Sequence, residues 1–172
     1  EAAPILGRMM TRLAVPAPDG ARSTAAIAAD RQTTMPADWQ RLGRPFGERL
    51  LELALERARE LSSTTSTTAV NGDLHHEQVL AGRREEWLCV DPVLLRGDRE
   101  YDLARILWYR LDELSGTGIE RCFDLVVGAA ELDHERARSW VLLRSVDYWL
   151  WGLDHGLTED PVRCARLVQH FR

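Results

Sequence analysis

The residues best equipped for chemistry lie between Val70 and Asp91. The stretch Val70-Asn71-Gly72-Asp73-Leu74-His75-His76-Glu77-Gln78-Val79-Leu80 runs apolar, then polar, then apolar. Gly72 permits a tight backbone path, which leaves Asp73 pointing out of a constrained loop. Val79-Leu80 begins a strand, Ala81-Gly82-Arg83-Arg84 turns, and Trp87-Leu88-Cys89-Val90 returns to end at Asp91-Pro92. Asp73 and Asp91 therefore flank a hairpin whose turn can bring them close. One carboxylate to orient a hydroxyl and take its proton, with an amide and a second carboxylate to hold Mg²⁺ against phosphates, is the equipment of phosphoryl transfer. Asp73, Gln78 and Asp91 supply those groups in that order. Without that context, Asp73 would be a turn aspartate bonded to its own loop, and Asp91 a strand-end cap.

The protein-kinase catalytic loop has the same layout: an Asp, four residues, an amide (Asn), and a metal-binding Asp beyond the next hairpin. Three blocks of this chain extend the likeness. They are Gly72-Asp73-Leu74-His75, Val90-Asp91-Pro92 and Gly97-Asp98-Arg99-Glu100-Tyr101-Asp102-Leu103-Ala104. In order and spacing, Asn71 to Trp108 resembles the aminoglycoside phosphotransferase branch of the kinase-like fold, and within it the streptomycin 6-kinase and hydroxyurea phosphotransferase family. That family writes His-Gly-Asp-Leu-His, an Asn, a hydrophobic pair, Ile-Asp-Pro and Gly-Asp-Pro-Glu-Tyr-Asp-Leu-Ala. Asn71 stands where the family has His, and Gln78 where it has Asn.

The resemblance implies an ATP-dependent phosphotransferase acting on an alcohol group of a small molecule, of aminoglycoside or hydroxyurea type, in antibiotic resistance or secondary metabolism. It implies Asp73 as catalytic base, with Gln78 and Asp91 holding Mg²⁺ and, through it, ATP. Asp102 matches an Asp that anchors the catalytic-loop backbone, and His75 is expected to support that loop structurally. His76 is expected to be exposed, and Asp98 to act as a helix cap or loop anchor. The departures at Asn71 and Gln78 keep a second reading open, a pseudokinase-like module that binds a nucleotide or small molecule without turnover. Gly-Asp followed by His-His-Glu also suits a binuclear metallophosphatase. That chemistry needs an earlier Asp-x-His and further His ligands; no His precedes Asn71, and His134, His155 and His170 fall in helical stretches.

Chain-wide properties narrow the partners. The 172 residues are 45% hydrophobic and 28% charged, with net charge −5. An acidic balance argues against nucleic acid, whose binding needs basic patches. Cys89, Cys122 and Cys164 are widely spaced and odd in number, which suits free thiols in a reducing cytoplasm. The richest apolar stretch, Trp140 to Leu153, is broken by Arg144, Asp147 and Gly152, so no membrane partner is expected.

The elements that position the loop follow from apolar spacing. A helix is expected over Pro4 to Leu13, and a small one from Ser23 or Thr24 to Ala29, broken at Thr33-Thr34-Met35-Pro36. Phe46, Leu50, Leu53, Ala54, Ala58 and Leu61 mark another helix, joined to the loop by the Ser/Thr run 62–68. A helix beginning at Asp98 or Glu100 points Leu103, Leu107, Trp108, Leu111 and Leu114 inward and is stopped by Gly116 and Gly118. Further helices run from Ile119 to Ala130, from Asp133 through Leu153 as the central buried element, and from Asp160-Pro161 to Phe171. Trp108, Trp140, Trp149 and Trp151 are expected mostly in the core, with one of them a candidate to line a substrate pocket. Asp147, Asp154, Glu159 and Asp160 are expected at solvated helix ends, where they could also bind ammonium or guanidinium groups. The fold expected is mainly α with a small β-hairpin. By the resemblance it is the larger, C-terminal lobe of a protein-kinase-like fold: residues 1–172 as one domain, catalytic loop and hairpin at 70–92, helical part at 98–172. The family's small β lobe, with a Lys that grips ATP phosphates, has no counterpart before Asn71, and the chain contains no Lys. The expectation is a piece lacking about the first third or more of the family's length and inactive by itself.

Overall fold

The computed structural model describes residues 2–172. The chain is mostly helical. Helix α1 (Ala2–Leu13) buries Leu6, Met9 and Met10 against α5 (Gly116–Ala130). Gly7 makes that contact possible, because a Cβ there would lie 2.7 Å from Cβ of Ala129.

Helix α2 runs from Thr24 to Arg41, capped by Ser23 Oγ, which accepts from Ala25 N at 3.1 Å. It passes through Pro36, so the expected break does not occur. A proline inside a helix costs about 3 kcal/mol through its lost N–H and the clash one turn back. Met35 (1% exposed) and Trp39 (6%) lie one turn apart and are both buried, and Trp39 Nε1 donates to Phe46 O at 2.9 Å. Burial of two large side chains returns about 1.5–3 kcal/mol each, enough to carry the helix past the proline. Helix α3 (Glu48–Leu61) presents Leu51, Ala54, Ala58 and Leu61 to α2 and to α6 (His134–Asp154).

Among the described residues two short antiparallel sheets stand where one hairpin is expected. Strand β1 (Ala69–Val70) pairs with β4 (Leu95–Arg96), Val70 opposite Leu95. Strand β2 (Val79–Ala81) pairs with β3 (Trp87–Cys89), Leu80 opposite Leu88. The β1–β4 sheet closes the base of the loop that carries the hairpin at its far end. Its strands are two residues each, too short to show any alternation.

A 3₁₀ turn at Arg99–Asp102 leads into α4 (Leu103–Tyr109). Helix α4 ends at Tyr109, and a separate 3₁₀ turn follows at Leu111–Glu113. Gly116 and Gly118 do not stop this helix; they open α5, because Ser115 Oγ accepts from Gly118 N at 3.2 Å and caps its first turn. Asp133 caps α6 as expected, Oδ1 to Arg136 N at 2.7 Å. Helix α6 packs against α2, α3, α4 and α7 (Glu159–Phe171), which makes it the central element. Among the described residues no helix is long and apolar enough to cross a membrane.

Asp98 joins these layers as an anchor rather than a cap. Its side chain is 4% exposed, and it makes no capping bond to the turn it precedes. Oδ1 accepts from Thr64 Oγ1 at 2.7 Å, and Oδ2 accepts from Arg136 Nε at 2.7 Å and Trp140 Nε1 at 2.8 Å. A buried carboxylate needs such partners; these tie the end of α3 and the start of α4 to α6.

Candidate functional site

Strand β1 delivers the chain into Asn71-Gly72-Asp73. Gly72 has φ +90°, in the region open to glycine at little cost. Its N–H donates to Asp102 Oδ1 at 2.9 Å. Asp102 is 2% exposed. Burial pushes its carboxyl up to about 6, opposed by Arg144 and by the N–H groups of Leu74 and Gly72. Asp102 therefore lies beneath the loop and holds its backbone.

Asn71 is buried and braces the loop from three atoms. Its Oδ1 accepts from Asp73 N at 3.0 Å, and its Nδ2 donates to Cys89 Sγ at 3.1 Å. Its backbone O accepts from Leu94 N at 2.8 Å. The side chain standing where the family has His thus ties Asp73 to strand β3 and to the turn before β4. That turn carries Asp91 and Leu94 in the left-handed region, at φ +52° and +62°.

The Asp73 side chain is 35% exposed, with Oδ1 accepting from Arg105 Nε at 2.7 Å. His75 Nε2 lies 3.8 Å from Oδ2. The His75 ring is buried and stacked on Tyr109, centroids 4.7 Å apart. Burial, reinforced by Arg105, lowers its pKa against the pull of Asp73 and Glu77. His76 is half-buried rather than exposed. It stacks on the same Tyr109 at 6.0 Å, and burial, then Arg110, lowers its pKa.

Gln78 is buried, and its Nε2 donates to Asp91 O at 3.2 Å. Its Oε1 is buried with no hydrogen-bond partner among the described residues. Asp91 is exposed, and its carboxylate has no partner among the described residues. An amide oxygen and a carboxylate are both ligands that suit a hard cation, which keeps waters and phosphates as the rest of its shell, but the contact between the two residues runs through the Asp91 backbone O. Among the described residues no group of three or more His, Cys, Asp or Glu side chains is arranged to hold a metal, so any such ion depends on non-protein ligands as well.

The structure thus brings Arg105 and His75 to Asp73 and joins Gln78 to the Asp91 backbone. Arg105 and the bracing by Asn71 escaped the sequence reading. Arg105 did leave a signal: it is the single charge in Leu103-Ala104-Arg105-Ile106-Leu107-Trp108. Of the tryptophans, Trp108 and Trp140 are buried, but Trp151 is 46% exposed, stacked between Tyr148 at 4.9 Å and His155 at 4.0 Å. Asp147 is no solvated end; it pairs with Arg31 at 2.6 Å, and burial raises its pKa. Trp149 lines a cavity of about 670 Å³ with Phe46, Leu50, Leu53, Val168 and Arg172, and no residue of the 70–92 loop is among its lining residues.

The chain belongs to the aminoglycoside/hydroxyurea antibiotic resistance kinase family, whose sequence pattern matches residues 1–156. It is 35% identical over 164 residues to streptomycin 6-kinase of Streptomyces griseus, covering 92% of this chain and 53% of that protein. It is 34% identical over 162 residues to hydroxyurea phosphotransferase of Kitasatospora aureofaciens, covering 92% and 46%. With streptomycin 6-kinase of Streptomyces glaucescens the identity is 33% over 174 residues, covering 98% and 57%. The chain spans about half the length of these curated relatives.

Proposed function

We propose that this chain is the helical, C-terminal lobe of an ATP-dependent phosphotransferase that acts on a hydroxyl of an aminoglycoside- or hydroxyurea-type small molecule. The observation that carries the reading is the braced loop: Asp102 pins Gly72, Asn71 pins Asp73, and the Asp73 carboxylate remains partly open to solvent. In the proposed reaction the acceptor hydroxyl oxygen bonds to the γ-phosphorus of ATP, its proton passes to Asp73, and the bond to the β–γ bridging oxygen breaks to leave ADP. Gln78 Oε1 and the Asp91 carboxylate would hold Mg²⁺, which would neutralise phosphate charge there. The 172-residue chain alone is proposed to be inactive, since it spans about half of its relatives and contains no Lys to grip phosphates.

The test is to incubate the full-length protein containing this chain with ATP and either streptomycin or hydroxyurea. Mass spectrometry should show the acceptor gaining a phosphoryl group, with stoichiometric ADP. Asp73→Asn should lower kcat by roughly 10²–10⁴-fold, the usual contribution of a positioned general base. Absence of phosphorylated acceptor across a panel of aminoglycosides and hydroxyurea would sink the reading. One observation favours a second: the Arg105 guanidinium already occupies Asp73 Oδ1, as it would in a binding module without turnover. Calorimetric binding of ATP or acceptor with no ADP released would select that reading.

A further inference from the structure

We infer that Arg105 is a positioning residue for the reactive carboxylate: it holds Asp73 by Oδ1 and leaves Oδ2 as the oxygen that receives the acceptor's proton. The inference rests on the proposed role of Asp73 as proton acceptor and adds the group that orients it.

The contact is one-sided. Arg105 Nε meets Oδ1 at 2.7 Å. A charge-assisted bond of that length is among the stronger ones a side chain makes. Among the described residues Oδ2 accepts no hydrogen bond, and His75 Nε2 lies 3.8 Å from it, beyond hydrogen-bond reach. Oδ2 thus keeps its lone pairs for a hydroxyl. The backbone bond from Asp73 N to Asn71 Oδ1 fixes the main chain but leaves the two side-chain torsions of Asp73 free. Arg105 is what restrains them.

Arg105 is itself held. Its guanidinium lies 5.4 Å from the Trp108 ring centroid and 5.8 Å from that of Tyr109. Trp108 is buried, with Tyr148 edge-on at 3.7 Å. Tyr109 in turn stacks on His75. Cation–π contacts of this kind favour a fixed guanidinium over a wandering one. Arg105 also sits one turn beyond Asp102, which pins the Gly72 N–H. The start of α4 therefore sets both the loop's backbone, through Asp102, and its carboxylate, through Arg105.

The experiment uses the full-length protein with ATP and streptomycin or hydroxyurea, comparing the parent with Arg105→Gln and Arg105→Lys. Arg105→Gln is expected to lower kcat by roughly 10- to 100-fold, the scale of a displaced catalytic group, with the acceptor KM changed less than about twofold. Arg105→Lys, which keeps a cation in reach, is expected to recover part of that loss. A raised KM at unchanged kcat would assign Arg105 to substrate binding and overturn the inference, as would a variant with parental kinetics. Crystal structures of the parent and Arg105→Gln supply an arm independent of turnover. The Asp73 carboxylate should rotate or lose order in the variant, and an unmoved, well-ordered carboxylate overturns the inference. An inactive parent would overturn the phosphotransferase reading, while the crystallographic arm would still decide whether Arg105 sets the carboxylate.

Discussion

Asp102 lies directly under Gly72, its Oδ1 accepting the Gly72 N–H at 2.9 Å across 30 residues of sequence. The carboxylate is buried and raised to about 6, while in the unfolded chain an Asp titrates near 3.9. Between those values the folded protein binds more protons than the unfolded one, so this group's contribution is greatest below about pH 4 and is lost as pH rises through 6. The stability advantage of the parent over Asp102→Ala should therefore shrink from pH 4 to pH 7, by up to about 3 kcal/mol for a shift of this size. Urea denaturation of both proteins at pH 4, 5, 6 and 7 measures it. An advantage that grows with pH would refute the burial argument.

Gly72→Ala should damage the same loop from the other side. At φ +90° a new Cβ would lie 3.0 Å from Leu95 Cγ and 3.1 Å from Val93 Cβ. A non-glycine residue in that region costs of order 1–3 kcal/mol. The variant should unfold at lower urea and, under the proposed role of Asp73, the full-length protein should turn over more slowly. Parental stability would show that the loop can adopt another path.

Gln78→Leu keeps the side chain's bulk but removes both polar atoms. The bond from Nε2 to Asp91 O is lost, at about 1 kcal/mol, along with the orphaned Oε1. If Gln78 helps to hold Mg²⁺, half-maximal turnover of the full-length protein should require roughly 10-fold more Mg²⁺ or beyond. An unchanged Mg²⁺ titration would remove Gln78 from the metal site.

The three cysteines should be slow to alkylate at neutral pH. Burial raises all three thiols above their ordinary range, Cys164 by far the most. Cys164 lies on α7 and is completely buried. In a Cys89→Ala/Cys122→Ala variant, iodoacetamide labelling of Cys164 should follow the rate of global opening and rise with urea. Rapid labelling of the native protein at pH 7 would show that this part of the core opens locally.

Much of this arrangement was readable before any coordinates, and the exceptions share a cause. Asp73, Gln78 and Asp91 lie within 19 residues of one another, so their order and the hairpin between them are local facts. Asp133 announced itself as a cap for the same reason. Pro36 misled because the local rule for breaking a helix is weaker than the burial of Met35 and Trp39, which depends on distant neighbours. Gly116 misled because a glycine beside Ser115 serves a helix start as well as a stop. The β1–β4 sheet left no trace, since two-residue strands have no period.

The amino-acid sequence by itself determined the polar residue types of the loop, their spacing, the helical stripes and the family. Only the tertiary structure decided which groups meet: Arg105 on Asp73 across 32 residues, Asn71 on Cys89 across 18, and Asp98 on Thr64, Arg136 and Trp140. A side chain's type is written in the chain, but its charge environment depends on which atoms come within a few ångströms, and packing between distant segments sets that.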